Sequence, residues 1–216
     1  MQLAKSAECG MFISETKVQQ MPAATCVQLH PGDVIRTMDL RKRYGAKNPS
    51  RVVKRLVSEG RLRPIERGLY AVPQPSKFGD VPPQDDTLIR KFLNTSDFIF
   101  TGPDRWNALG LGSTAVFPMR LVYNRKRHGD VELDNRRFRL RQCTRLPTKP
   151  SAEWFAIDLI ENASSVGLDL ETLEERLRAA VRQGSFDPVA LRRVAGQYGT
   201  KPTRELVDRC CSPGER

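Results

Sequence analysis

The pattern of apolar and polar positions is clearest after Asn48, where it predicts an amphipathic helix. Apolar side chains recur there at helical spacing, and they are Val52, Val53, Leu56 and Val57. Asn48 is a favourable N-cap, and Pro49 suits the first helical position because the N–H that proline lacks would have no helical partner there. Gly60 ends the pattern, so the sequence predicts a helix of about three turns.

Short elements flank this helix on both sides. Residues 34–35 predict a strand, and Thr37 is expected to cap a short helix that follows it. After the main helix, residues 61–65 and 69–72 predict two strands joined at Glu66-Arg67-Gly68, where glycine permits a positive φ. The order is therefore strand, helix, turn, helix and hairpin.

The second half of the chain predicts strands and then helices. Proline-rich residues 74–84 indicate a linker. The elements expected after it are a helix at 85–94, a strand at 98–100, a helix at 104–109, strands at 120–125, 130–133 and 136–142, and helices after Ser151, Asp169, Asp187 and Thr200. A tight turn at Asp134-Asn135 predicts an antiparallel hairpin.

The elements together predict an α+β protein of two domains. Residues 1–75 would form a winged helix-turn-helix, residues 76–84 a linker, and residues 85–216 a mixed α+β domain with a small antiparallel sheet and several helices. The 216-residue length and the 39% hydrophobic content are sufficient for cores of that size.

Charge adds a functional expectation to this fold. The chain carries 36 Lys and Arg against 25 Asp and Glu, a net charge of +11. Eleven bases and four acids lie within residues 31–75, and nine bases and three acids lie within residues 118–145, whereas residues 146–216 are nearly neutral. Two basic zones on an otherwise ordinary protein are typical of a polyanion-binding surface.

Other features point to a cytoplasmic protein that does not contact a membrane. No apolar run reaches the roughly 18 residues that a membrane span needs, and the N-terminus lacks the pattern of a secretory signal. The five cysteines show no Cys-x-x-Cys spacing, and the two histidines lie far apart. We expect free thiols, no metal site and no cofactor.

The order of elements in residues 32–72 is that of a winged helix-turn-helix, which predicts binding to double-stranded DNA. The polar face of the main helix would enter the major groove, the hairpin tip would lie along adjacent phosphates, and bases nearby would hold the backbone. The predicted DNA-binding residues are Lys42, Arg43, Lys47, Asn48, Ser50, Arg51, Lys54, Arg55, Arg61, Arg63 and Arg67. Tyr70 is expected to anchor the hairpin.

The second basic zone predicts an auxiliary phosphate-binding face. Its candidate residues are Arg120, Arg125, Lys126, Arg127, Arg137, Arg139 and Arg141. A surface for RNA or for an acidic protein partner remains an alternative for this zone.

The residues from Gly32 to Leu40 and from Val52 to Pro73 resemble the N-terminal domain of AbiEi-type antitoxins. The most specific part runs from Leu56 to Pro73, with its Arg-Gly-Leu-Tyr segment and following proline, and the similarity continues to about Val207. The resemblance implies an autorepressor that binds repeats in its own promoter as a monomer or weak dimer. It also implies a cognate nucleotidyltransferase-like toxin. Arg105-Trp106 depart from the family pattern, as does the extra length between Leu111 and Pro118.

Two alternatives of other classes stand beside this hypothesis. One is an interaction module whose second domain binds a toxin or other partner, with DNA contact secondary. The other is a nucleotidyltransferase, because Gly112-Ser113 precedes a strand on which Asp130, Glu132 and Asp134 share one face, as metal-binding carboxylates would. The spacing is longer than that signature allows, and cross-strand pairing with arginines would account for the acids. We therefore expect no catalytic residues.

Overall fold

The computed structural model describes residues 28–112 and 119–212, and within them the chain is an α+β protein. Of Arg43 and Tyr44 only the backbone is described. The strands are β1 (Val34–Arg36), β2 (Arg63–Glu66), β3 (Leu69–Ala71), β4 (Pro75–Ser76), β5 (Gly79–Asp80), β6 (Phe98–Thr101), β7 (Arg120–Asn124), β8 (Gly129–Leu133) and β9 (Arg136–Gln142). The helices are α1 (Thr37–Tyr44), α2 (Pro49–Ser58), α3 (Asp85–Leu93), α4 (Pro103–Ala108), α5 (Ala152–Asn162), α6 (Leu170–Arg182), α7 (Pro188–Tyr198) and α8 (Lys201–Cys211), with a 3-10 turn at Ala163–Val166.

The N-terminal elements form a three-stranded sheet in the order β1-β3-β2, with α1 and α2 between the first two strands in the chain. Asn48 caps α2 as expected, since its side chain accepts the Arg51 N–H at 3.2 Å. The predicted cap of α1 is wrong by one residue. Thr37 is the first residue of the helix and Arg36 is its N-cap, where the Asp39 carboxylate accepts the Arg36 backbone N–H.

Residues 74–84, predicted as a linker, contain a short hairpin of β4 and β5. Pro75 pairs with Asp80, and Ser76 pairs with Gly79. The Ser76 hydroxyl donates to the Gly79 carbonyl at 2.6 Å and accepts the Phe78 N–H at 3.2 Å, which closes the turn. Proline is compatible with this two-stranded element because each strand has an open edge.

The larger sheet is mainly antiparallel, as expected, but one of its three strand pairs is parallel. Its strand order is β6-β7-β9-β8, and β7 pairs with β9 in parallel. Phe138 and Leu140 of the central strand β9 are buried. The outward residues Asp130 and Glu132 of β8 are exposed, which suits an edge.

The predicted hairpin at Asp134-Asn135 is confirmed. Both residues have positive φ, 53° and 59°, which is the backbone that a two-residue type I′ turn requires. Asp and Asn tolerate this region better than other residues with a Cβ. The turn sets the register in which Asp130 lies opposite Arg139 and Glu132 opposite Arg137.

Three apolar clusters hold the layers together. The first lies between the small sheet and the helices α1 and α2, and includes Leu40, Val53 and Leu56. The second joins the opposite side of that sheet, at Val34 and Leu69, to α3 and to β7, β8 and β9. The third lies between the large sheet and the C-terminal helices. Residues 28–75 and 85–212 therefore share a continuous core through α3.

The helices after residue 150 begin where the sequence predicts. Ser151, Asp169 and Asp187 accept backbone N–H groups at the starts of α5, α6 and α7. Among the described cysteines, Cys143, Cys210 and Cys211 carry free thiols. The expectations for residues 1–27, including Cys9 and Cys26, and for Ser113 fall outside the described part of the chain. Within that part, every helix is too short or too polar to cross a bilayer.

Candidate nucleic-acid interface

Helix α2 separates its two faces completely. Val53 and Leu56 are 5% and 0% exposed and pack into the first apolar cluster, whereas Arg51 and Lys54 are exposed to solvent. The helical period places the cationic side chains about opposite the buried ones. No other layer of the described structure covers this cationic face, because the sheet beneath α2 contacts α3 through its far side.

The start of α2 and the preceding turn extend this face. Ser50 and Lys47 are exposed, as is Lys42 on α1. Asn48 is exposed, and because the oxygen of its side chain is used in the cap, its NH2 group is the donor left for a further partner. The side chain of Arg43, another predicted contact, lies outside the described atoms.

Two predicted phosphate contacts share an acidic neighbour at the end of α2. Arg55 Nε lies 3.6 Å from Glu59, and Arg61 Nη1 lies 3.9 Å from the same carboxylate. All three side chains are more than 40% exposed, so these ion pairs are weak. Both arginines remain accessible to a stronger anion such as a phosphate.

Arg67 lies at the tip of the β2–β3 hairpin and is exposed. The following Gly68 has a φ of 81°, which permits the tight turn, and its carbonyl accepts the Thr37 N–H at 3.0 Å. That bond fixes the hairpin tip to the start of α1. Tyr70 is half-buried against the first apolar cluster, so it anchors the hairpin as expected.

Arg63 has a structural partner, which argues against its predicted contact with the DNA backbone. Its Nη1 lies 2.5 Å from the Asp134 carboxylate, and this pair links β2 to the β8–β9 turn. The hydrogen bond with Asp134 raises the pKa of Arg63 further above its ordinary value. The Asp134 side chain is only 4% exposed, so the positive charge of Arg63 offsets part of the cost of burying this carboxylate.

The second basic zone is not one continuous cationic face, because acids of the same half pair with most of it. Four pairs account for four of its seven predicted residues: Arg120 with Asp85, Arg125 with Asp97 at 2.8 Å, Arg137 with Glu132 at 3.9 Å, and Arg139 with Asp130 at 2.9 Å. Arg141 is half-buried, and its Nε has no hydrogen-bond partner in the described structure. Among the seven predicted residues, Lys126 and Arg127 are exposed and have no carboxylate partner within the described residues.

Lys126 and Arg127 are held against the end of α3. The Lys126 ammonium donates to the carbonyls of Leu93 and Asn94 at 3.1 and 2.7 Å, where a helix C-terminus favours a cation. The Arg127 guanidinium lies 4.6 Å from the centre of the Phe92 ring, in a cation–π contact. Both side chains are exposed.

These two residues line a cleft together with the hairpin tip, an arrangement that sequence reasoning missed. The cleft has a volume of about 470 Å³, and its charged lining residues are Arg36, Glu66, Arg67, Lys91, Lys126 and Arg127. We call it the wing-side cleft, after the hairpin that the sequence predicts to be the wing. Arg36 and Lys91 were not predicted as site residues, because no local pattern shows that positions 36, 67, 91 and 127 meet.

Beneath this cleft, Asp39 joins α1 to α3. Its carboxylate accepts from Arg36 Nη2 at 2.9 Å and from Lys91 Nζ at 3.0 Å. Burial raises the pKa of Asp39, but the hydrogen bonds from Arg36 and Lys91 outweigh burial and leave this pKa below its usual value. Asp39 therefore stays ionised and neutralises part of the charge on both cations.

The carboxylates of the nucleotidyltransferase alternative lie in cross-strand ion pairs. Asp130 receives two hydrogen bonds from Arg139, at 2.9 and 3.1 Å, and these hold the pKa of Asp130 below its usual value. Glu132 faces Arg137, and Asp134 faces Arg63 and Arg136. Within residues 28–112 and 119–212, no group of three or more His, Cys, Asp and Glu side chains is placed to hold a metal ion.

A buried polar cluster lies on the other side of the large sheet. Asp158 on α5 is 4% exposed, and its carboxylate accepts from Trp106 Nε1 at 2.8 Å and from the Thr101 hydroxyl. Burial raises the pKa of Asp158 to about 6, although these two hydrogen bonds oppose the rise. Trp106 and Trp154 are 2% and 6% exposed, so both belong to the core.

Comparison with protein-family models gives no match, and comparison with curated proteins gives no significant match. Among solved structures, the fold is similar to that of the RV2827C protein from Mycobacterium tuberculosis, with a TM-score of 0.50 and 16% sequence identity. The alignment covers 83% of this chain and 71% of that chain. At this identity the likeness concerns the fold alone.

Proposed function

We propose that residues 32–73 form a winged helix-turn-helix that binds double-stranded DNA through α2. The observation that carries the proposal is the complete division of α2, with Val53 and Leu56 in the core and Arg51 and Lys54 in solvent. A helix exposed in this way can enter the major groove of B-DNA without rearrangement of the layers beneath it.

Each cation has a distinct task in this mechanism. Arg51 and Lys54 reach base edges in the major groove, where arginine can bond two acceptors of guanine. Arg67 contacts phosphates from the hairpin tip, which serves as the wing. Lys42, Lys47 and Arg61 hold the backbone on either side, and such contacts position the protein without reading sequence.

The biological role we propose is that of an antitoxin that represses its own operon. Support comes from the resemblance of residues 56–73 to AbiEi-type antitoxins and from the exposure of the resembling hairpin tip at Arg67. The operator would consist of repeats in the protein's own promoter, and the neighbouring gene would encode a nucleotidyltransferase-like toxin. A reading frame of that kind overlapping the end of this gene is the simplest supporting observation.

The proposal is tested by measuring binding of the full chain to its promoter duplex and to an unrelated duplex at several salt concentrations. If six to ten phosphates are neutralised, log affinity falls against log salt with a slope of roughly −5 to −9. Arg51→Ala reduces the preference for the promoter, whereas Arg67→Ala weakens both duplexes alike. Arg193→Ala is the matched control, since it removes an exposed arginine from α7.

Two results of these binding measurements would contradict the proposal. An affinity that hardly changes with salt rules out phosphate contacts as its basis. Equal effects of Arg51→Ala and Arg193→Ala would show that net charge, and not α2, governs binding. For the operon, a promoter–reporter fusion should be repressed by the wild type and released by Arg51→Ala.

A further inference from the structure

The wing-side cleft brings together cations from both halves of the chain. Arg67 comes from the β2–β3 tip, Lys91 from the last turn of α3, and Lys126 and Arg127 from the β7–β8 loop. Glu66 is the acid among the residues that line it. The cleft is therefore strongly positive and opens beside the proposed wing.

The cations in the cleft differ in how many of their N–H groups are already bound to protein acceptors and in whether a carboxylate already neutralises their charge. Arg36 and Lys91 share the Asp39 carboxylate beneath the floor. Lys126 uses two of its three N–H donors on the carbonyls at the end of α3. Arg67 and Arg127 have no carboxylate partner within the described residues, so their charge is available to a ligand.

Arg127 is also fixed in position. Its guanidinium lies over the Phe92 ring at 4.6 Å, and the Lys126 bonds tie the same loop to α3. A guanidinium held by its face keeps its N–H edges free, and these edges match the oxygens of a phosphate. Less side-chain entropy is lost on binding when the group is already held in place.

We propose that the wing-side cleft receives the phosphodiester backbone of the DNA strand that passes the wing, with Arg67 and Arg127 on its phosphates. This inference rests on the proposed function, since it extends the same interface. Arg67 at the hairpin tip and Arg127 both line the cleft, so one strand that passes the hairpin can contact both. In this arrangement the C-terminal half also contacts DNA. Without the cleft, the contact would be limited to residues 32–73.

The test compares Arg127→Ala with Arg125→Ala in the full-length protein. Arg125 lies in the same loop and is exposed, but it pairs with Asp97 and does not line the cleft. The two variants therefore lose the same charge from neighbouring positions. Salt dependence of promoter affinity and hydroxyl-radical footprints are measured for both, for wild type and for Arg127→Lys, with melting temperatures as a check of folding.

We expect Arg127→Ala to reduce the magnitude of the salt slope by about 1 and to shorten the footprint at one flank. Arg127→Lys should retain most of the slope because it keeps the charge, and Arg125→Ala should match wild type. Equal changes in Arg127→Ala and Arg125→Ala, or an unchanged footprint, would overturn the assignment.

Two further arms separate the sources of failure. Inorganic phosphate is added in place of chloride at equal ionic strength. Phosphate binding that is lost in Arg127→Ala, but that leaves the DNA affinity of the wild type unchanged, would indicate a site for small anions, against the strand assignment. If Arg51→Ala still loses sequence preference while Arg127→Ala has no effect, only the cleft assignment fails. If wild type binds neither duplex, the proposed function fails as well.

Discussion

The contact of Asp39 with Arg36 and Lys91 links α1 to α3, and Asp39→Asn tests how firmly it joins the two halves. The carboxylate accepts three hydrogen bonds, from the Arg36 backbone N–H at 3.3 Å, from Arg36 Nη2 at 2.9 Å and from Lys91 Nζ at 3.0 Å. Asparagine has nearly the same shape, so the substitution changes the charge and removes one acceptor without opening a cavity.

The magnitude follows from the burial of the three groups. A hydrogen bond to a charged group contributes about 1.5–3 kcal/mol, and Asp39→Asn affects two of them. The Asp39 side chain is 10% exposed, but Arg36 and Lys91 are 24% and 29% exposed, so water recovers part of the loss. We expect a loss of about 2 kcal/mol in the free energy of unfolding, or roughly 4–8 °C in Tm for a chain of this size.

The effect should depend on pH in a defined direction. Hydrogen bonds from Arg36 and Lys91 outweigh burial and hold the pKa of Asp39 below its ordinary value. The stabilisation is therefore present above the pKa of the unfolded chain, about 3.9, and is lost as pH falls through the lower pKa of the folded state. The difference between wild type and Asp39→Asn should shrink below about pH 4.

Urea denaturation from neutral pH to about pH 3 measures both effects. Asp86→Asn is the matched control, because its exposed pair with Arg90 on α3 should change stability by no more than about 0.5 kcal/mol. If Asp39→Asn behaves like Asp86→Asn at neutral pH, or if its deficit persists unchanged in acid, the linking contact does not stabilise the fold as argued.

Three further predictions concern the core and the ion pairs. Asp158→Asn should lose less stability than wild type as pH rises from about 4 to 6. Burial raises the pKa of Asp158 to about 6, so the wild type must ionise a buried group over this pH range. An equal change in the free energy of unfolding of both proteins between the two pH values would contradict this. Leu56→Ala should destabilise by about 2–5 kcal/mol, since the side chain is 0% exposed, and a Tm within about 2 °C of wild type would show that α2 does not depend on this core. Arg63→Ala should leave the salt slope of DNA binding unchanged, because Arg63 serves Asp134, and a slope reduced by about 1 would return it to the DNA interface.

Local sequence chemistry determined most of the elements and their caps. Asn48-Pro49 fixes the start of α2, and the period of Val52, Val53 and Leu56 fixes which face is buried. Asp134-Asn135 sets a type I′ turn and with it the register of β8 and β9. These features follow from sterics and hydrogen bonds within a few residues, so they can be predicted from the chain alone.

Part of the candidate interface was also predictable from the sequence. Exposure of Arg51 and Lys54 follows from the helical period, and exposure of Arg67 follows from its place in a tight turn. The partners of Arg63, Arg120 and Arg125 were not predictable, because the acids that pair with them are far away in sequence. The pairs of Arg137 and Arg139 were predictable, because they follow from the β8–β9 hairpin. The sequence alone does not distinguish a basic residue that faces solvent from one that neutralises a buried carboxylate such as Asp134.

Only the tertiary structure decided how the layers meet. It placed β9 between β7 and β8, packed Val34 and Leu69 against α3, and brought Arg67 and Arg127 to one cleft. Most of these contacts join residues about 20 to 60 positions apart. They depend on how whole apolar faces pack against one another, and a short stretch of sequence does not show this. The sequence by itself therefore determined the cationic helix, whereas the fold decided which other charges stand beside it.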